Sequence, residues 1–410
     1  MKHLRMGFLG GCIVFSLQAH AVINFGMAGD SLTDEYLASS PGDLSGLNLA
    51  AKSWVQILAQ TRSADFNFGA YKPDPNNNWG GSRDTGFEYN YAKSGAVASD
   101  NTKMLLGTNV NLPPTRFPIT SSGSSYLSTE INGDADGIGL AGQVGAGKVD
   151  TAFIGIGAND FLFKTNLFDP SGSGASIPIP LANLNLPTIV TQVSSSILNA
   201  IDALRNAQPA GTNLNMLVGM VRAQDAAGSD PRALAIADAV NQINTILVNG
   251  VASRRALGQN IATVDLWAWA TDPNDPHHYN ADGSVNIGGL TIEPTAVSKD
   301  PLAGDLVPAG TPGASTTLCN AQGMCATQQN ATHLYTEPKT HPNTLIQALL
   351  ANEIIDALNT NFGAGVARLS DSEILAIPQY TSAVPVPAAA WLFASGVLGL
   401  LGVGRYRRAA

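Results

Sequence analysis

Apolar positions along this chain fall into two patterns, short unbroken runs and longer stretches with helical spacing. Residues 22–27 (VINFGM) form a run that leads directly into Gly29-Asp30-Ser31-Leu32, so a serine stands where a buried strand gives way to a turn. A second run, residues 149–156 (VDTAFIGI), ends the same way in Gly157-Ala158-Asn159-Asp160. Residues 213–221 and 261–267 read as two more strands. Between the runs the period changes. Residues 53–60, 184–208 (through Ile189, Val193, Ile197 and Ile201), 231–257 and 343–361 carry helical spacing. Strands alternating with long helices predict an α/β protein whose parallel sheet is covered on both faces, with functional sites at the carboxyl ends of its strands.

Two stretches interrupt that rhythm. Residues 61–148 and 268–334 are rich in Gly, Asn, Pro, Ser and Asp with few periodic runs, and both read as loop-rich insertions into a body spanning residues 22–383. The ends form separate modules. Lys2 and Arg5, an apolar stretch over residues 6–17 and the small-residue site Ala19-His20-Ala21 predict a secretory signal peptide over residues 1–21. A lipoprotein reading at Cys12 is set aside because the apolar region continues past it. At the other end Pro385-Val386-Pro387 precedes an uncharged run and then Arg405, Arg407 and Arg408. Residues 386–404 are long enough to cross a hydrocarbon layer of about 30 Å, and the basic end predicts a cytoplasmic C-terminus. Residues 384–410 resemble a PEP-CTERM sorting signal, with Pro-Val-Pro where that family usually has Pro-Glu-Pro. The resemblance implies an exosortase-type sorting enzyme as partner, and a cell surface, exopolysaccharide matrix or medium as destination, with transient anchoring in the inner membrane by the tail.

Composition fits an exported chain. Charged residues make up 13% of the 410, against about 25% in average soluble proteins, and there are 42 glycines. The net charge is −9; without the five basic residues of the two ends, 17 basic side chains face 31 acidic ones, a balance of −14. Such a body repels nucleic acid and anionic lipid surfaces, leaving the tail as the expected membrane contact. Cys319 and Cys325 lie within CNAQGMC, a spacing that suits a small disulfide loop in an oxidising compartment, whereas a metal site needs more ligands than are visible. Residues 132–137 (NGDADG) resemble the first half of a calcium loop, but the twelfth position is Gln143 and a polar turn is expected. His277 and His278, near Asp272, Asp275 and Asp282, have no organised ligand spacing and are expected on a solvated loop.

Acyl transfer by a serine needs a base, a group to orient that base, and donors for the developing oxyanion. Outside the signal peptide there are four histidines, and His341 opens His341-Pro342-Asn343-Thr344 just before the last predicted helix. Ser31 sits outside any G-x-S-x-G elbow, which argues against the α/β-hydrolase fold. Four blocks then occur in order: Gly29-Asp30-Ser31-Leu32, Asn90-Tyr91-Ala92-Lys93-Ser94-Gly95-Ala96, Gly157-Ala158-Asn159-Asp160 and His341-Pro342. In these the chain resembles the SGNH hydrolases, also called GDSL esterases and lipases, over roughly residues 23–363.

The resemblance implies a three-layer α/β/α sandwich on a mainly parallel five-stranded sheet. It implies Ser31 as nucleophile, His341 as general base, and an oxyanion hole made of the Ser31 and Gly95 backbone N–H groups and the Asn159 side-chain amide. No metal or cofactor is implied. Where the family has Asp three residues before the histidine, this chain has Pro338; Glu337 is one residue further back and is the expected acid, with a Ser-His dyad or an acid from elsewhere as alternatives. The expected activity is hydrolysis of carboxylic esters, either of lipids, of small acyl groups or of acylated saccharides, through an acyl-enzyme. The competing expectation is a non-catalytic surface or matrix protein on the same scaffold.

Overall fold

The computed structural model describes residues 21–35, 52–72, 86–93, 95–99, 126–134, 137–168, 176–223, 229–292, 317–319, 325–327, 342 and 344–377. At its centre β1 (Ile23–Gly29) is buried from Phe25 onward. It pairs in parallel with β3 (Thr151–Gly155), in register from Phe25↔Thr151 to Gly29↔Gly155. On its other side β1 pairs with β2 (Phe66–Asn67), through Ile23↔Phe66. β4 (Asn215–Gly219) follows β3, and β5 (Ile261–Val264) follows β4, all parallel. The order β5-β4-β3-β1-β2 therefore carries five strands, and the expected mainly parallel five-stranded sheet is what the chain builds.

Side-chain alternation along these strands feeds two separate cores. One face carries Phe25, Met27, Phe153 and Leu217, and packs against α1 (Trp54–Thr61) and residues from the far end of the chain. The other carries Ala28, Ala152, Ile154, Met216 and Val218. It is covered by α2 (Leu127–Asn132), α3 (Leu140–Gly145), α5 (Leu186–Ala207) and α6 (Pro231–Ala256), with α4 (Ala158–Thr165) leaving the end of β3. The two longest helices start where their capping residues dictate: Asn185 accepts from the Thr188 N–H, Asp230 accepts from Arg232 and Ala233 at 2.8 Å each, and Pro231 opens α6.

Beyond β5, α7 (Ala268–Thr271) and a hairpin of Val285–Ile287 with Leu290–Ile292 add Trp269, Val285 and Ile287 to the first core. α8 (Thr344–Phe362) is buried nearly all round at its start and docks on α1: the Lys52 N–H donates to Thr344 Oγ1 at 3.0 Å and the Trp54 N–H to Gln347 Oε1 at 3.1 Å. α9 (Asp371–Ala376) closes the described chain.

Residues 61–148 are in part integral to this body. They supply β2, a short pair of Tyr71–Lys72 with Gly86–Phe87, and both α2 and α3. They also extend the sheet edge beyond β2. The Met27 N–H donates to the Tyr89 carbonyl at 2.9 Å, Tyr91 N–H to Met27 at 2.8 Å, and Lys93 N–H to Gly29 at 3.0 Å, with Asn90 bridging Met27 in parallel. Residues 133–138 form a short antiparallel pair, Gly133–Asp134 with Gly137–Ile138.

The solvated-loop expectation for the histidine pair needs correction at His277. It is only 7% exposed, with Nε2 2.9 Å from Asp371 Oδ1 and Nδ1 3.2 Å from Asp275 Oδ1. The imidazole thereby joins the loop after α7 to the start of α9, and Asp371 Oδ2 also accepts from the Gly288 N–H at 2.9 Å. The backbone of Cys319 pairs with that of Cys325 in a hairpin of Thr317–Cys319 and Cys325–Thr327. The tail, residues 384–410, and residues 1–20 lie outside the described residues. Among the described residues no helix is long and apolar enough to cross a membrane.

Candidate functional site

In a parallel sheet ordered 2-1-3-4-5 the direction in which strands are added reverses between β1 and β3, and the crevice at their carboxyl ends is where such sheets bind ligands. Ser31 follows β1 by two residues and Gly157 follows β3 by two, so the first and third motif blocks face each other across that crevice. Backbone bonds fix their spacing, since the Asp30 N–H donates to the Gly155 carbonyl at 3.3 Å.

Asp30 shapes the turn that carries Ser31. Its Oδ1 accepts from the Leu32 N–H at 3.0 Å, and its carbonyl accepts from Thr33 and Asp34 at 3.0 Å each, giving one tight turn that leaves Ser31 half-buried at the crest. Asp30 itself is 4% exposed. Burial, aided by the charge of nearby Asp160 and opposed by the Leu32 hydrogen bond, pushes its carboxyl up to about 7.

The second block is tied to the first. Asn90, fully buried, donates from Nδ2 to the Thr33 carbonyl at 3.0 Å and accepts from the Ala92 N–H at 3.1 Å. After the Lys93 bond to Gly29, the Ala96 N–H closes a turn onto the Lys93 carbonyl at 3.0 Å. Gly95 holds the third position of that turn at φ +78, where a side chain is strained. A Cβ there would meet nothing within 4 Å, so the Gly95 backbone borders open space.

The third block grips the second. Asn159 Nδ2 donates to the Ala96 carbonyl at 2.9 Å, which spends one of its two amide N–H groups and leaves the other. Asp160, fully buried, accepts from the Ala98 N–H at 2.6 Å and from the Ser99 hydroxyl at 3.1 Å. Ser31, Gly95 and Asn159 are thus drawn to one end of the sheet by a closed set of bonds. His341 and Glu337 lie outside the described residues, as does Ser94. Pro342 and Thr344, which flank the histidine block, are buried at the entry to α8.

Sequence reading missed three supports of the site. Asn90 and Asp160 lie in motif blocks to which the resemblance assigns them no role, and Glu130 lies in no block. Glu130, 1% exposed on α2, accepts the Gly29 N–H at 2.8 Å and so finishes the β1 ladder just before the turn that carries Ser31. Among the described residues no group of His, Cys, Asp and Glu could hold a metal ion.

No protein-family model matches the chain, and none of the curated proteins does. Solved structures similar to it include a family 3 carbohydrate esterase from Clostridium thermocellum, at 16% identity and TM-score 0.29, with 60% of this chain and 79% of that one covered. Another is an acetyl xylan esterase from the rumen bacterium Butyrivibrio proteoclasticus, at 13% identity and TM-score 0.27, with 59% of this chain and 55% of that one covered.

Proposed function

We propose that the protein is a serine hydrolase of carboxylic esters. The observation that carries the reading is the bond from the Asn159 amide to the Ala96 carbonyl: it brings a side-chain donor beside the Gly95 turn, across the β1–β3 crevice from Ser31. Ser31 Oγ attacks the ester carbonyl while its proton passes to the His341 imidazole. The oxyanion that forms is met by the N–H groups of Ser31 and Gly95 and by the second N–H of Asn159. The alcohol leaves with the proton from His341, and water, deprotonated by the same imidazole, releases the acid from the acyl-enzyme. Glu337 is assigned to orient His341. Lipid, small acyl and acylated saccharide esters all fit this chemistry. Export through residues 1–21 and removal of residues 384–410 by an exosortase-type enzyme complete the proposal.

Hydrolysis of para-nitrophenyl acetate and butyrate by the full chain tests it, with Ser31→Ala and His341→Ala beside it. Either variant should lose activity by about a thousand-fold or more. Equal rates for the parent chain and Ser31→Ala would favour a non-catalytic matrix protein on this scaffold.

A further inference from the structure

Arg222 lies three residues past β4 and Trp267 three past β5, on neighbouring strands whose carboxyl ends share the sheet edge with Ser31. The Arg222 guanidinium carbon stands 4.4 Å from the centre of the Trp267 ring. Both partners are held in place. Trp267, 8% exposed, donates its backbone N–H to Asp265 Oδ1 at 2.9 Å and has its ring 6.0 Å from that of Trp269. Val221, just before the arginine, is latched on both sides by Asn244, which accepts from its N–H at 2.8 Å and donates to its carbonyl at 3.0 Å. Val221 also abuts the third motif block, since a Cβ on Gly157 would come within 3.0 Å of its Cγ2. Arg222 is exposed, and among the described residues no carboxylate pairs with it, whereas Arg62, Arg254 and Arg368 each have one.

From this geometry we infer that Arg222, stacked on Trp267, is a carboxylate-binding subsite, and that the preferred ester carries a carboxylate away from its scissile bond. The inference rests on the ester-hydrolase reading and narrows its substrate class. The guanidinium carbon lies over the indole ring, which limits where the group can move, and its N–H groups are of the kind that meet a planar carboxylate two at a time. In a chain of net charge −9, an exposed guanidinium at the same end of the sheet as Ser31, with no carboxylate partner among the described residues, supplies the local attraction for such a group. β4 lies two strand spacings from β1, about 10 Å along the edge, which gives the scale of the separation expected between the carboxylate and the reacting carbonyl.

The test compares two esters of para-nitrophenol on the full chain: the suberate half-ester, which ends in a carboxylate, and the octanoate, which ends in a methyl group. Arg222→Ala should lower the ratio of kcat/KM for suberate over octanoate by about ten-fold or more, and Arg222→Lys should restore only part of it. An unchanged ratio overturns the inference. Calorimetric titration of suberate into Ser31→Ala, with and without Arg222→Ala, reads the same subsite without turnover. Binding lost with the arginine supports the subsite even if no ester is hydrolysed, in which case only the hydrolase reading fails; binding that ignores the arginine, or is absent in both, sinks the subsite.

Discussion

The Asn159 side-chain amide reaches 63 residues back along the chain to donate to the Ala96 carbonyl at 2.9 Å. In the proposed reaction a donor for the transient oxyanion has to be aimed before the charge develops, and this bond fixes the orientation of the Asn159 amide. Asn159→Ala removes both the anchor and the donor. Its expected effect is a fall in kcat of about a hundred- to a thousand-fold with KM little changed, at a stability cost of about 1 kcal/mol. Steady-state kinetics beside thermal melting check this. A loss of activity no larger than the loss of folded protein would remove Asn159 from the site.

Asp30 ties stability to pH. Its folded value of about 7 lies above the ordinary 3.8, so the folded chain keeps a proton that the unfolded chain has released. Stability therefore falls as pH rises between those values and levels off above the upper one. Each unit is worth about 1.4 kcal/mol, which makes the full effect on the order of a few kcal/mol. Asp30→Asn keeps an oxygen for the Leu32 N–H but cannot ionise. Its stability by urea titration should match the parent at about pH 4 and exceed it at about pH 8. Parallel stability profiles for the two proteins would contradict the assignment.

How much of this was legible beforehand follows element length. The helix expected over 231–257 is observed at Pro231–Ala256 and that over 184–208 at Leu186–Ala207, because long periodic runs with capping residues specify their own limits. β2 is two residues long, too short for any period, and the edge segment through Asn90 is set by bonds to Met27 and Gly29 rather than by its composition. Ser31, Gly95 and Asn159 could be named from motif blocks, whereas Glu130 and the environment of Asp30 could not. A buried carboxylate looks in sequence like any solvated one, and only its partners distinguish it.

Two glycines with positive φ differ in what surrounds them, which separates a structural need at Gly86 from the role proposed for Gly95. Gly86, at φ +96, leaves a Cβ position 2.5 Å from Glu35 Oε2, and Glu35 is a buried carboxylate whose Oε1 accepts the Phe87 N–H at 2.9 Å. Gly95, at φ +78, faces open space. Alanine at either adds about 1 kcal/mol of backbone strain, and at Gly86 the displaced carboxylate adds about 2 kcal/mol more. Gly86→Ala should thus lower the melting temperature further, while Gly95→Ala should lower kcat further by shifting its N–H. The reverse ranking in paired melting and rate measurements would refute the division.

Arg62 fastens the end of the described chain. Its guanidinium, on a side chain 10% exposed, donates to the carbonyls of Thr61, Ala367 and Arg368 at 2.8–2.9 Å and to both oxygens of Glu373 at 2.9 and 3.2 Å. That contact, with help from the Ser370 N–H, holds the Glu373 carboxyl down to about 2. A depressed carboxylate contributes stability that is present above its unfolded value, about 4.5, and is lost as pH falls toward the folded one. Because the Glu373 side chain is 43% exposed, solvent screens much of the ion pair, and the bonds to the Thr61, Ala367 and Arg368 carbonyls share the cost of removing the arginine. Arg62→Ala should cost about 2 kcal/mol near neutral pH, with the gap to the parent narrowing as pH drops below about 4. Hydrogen exchange should quicken first across residues 363–377, and protection there equal to the parent's would show that the segment is held by its apolar contacts instead.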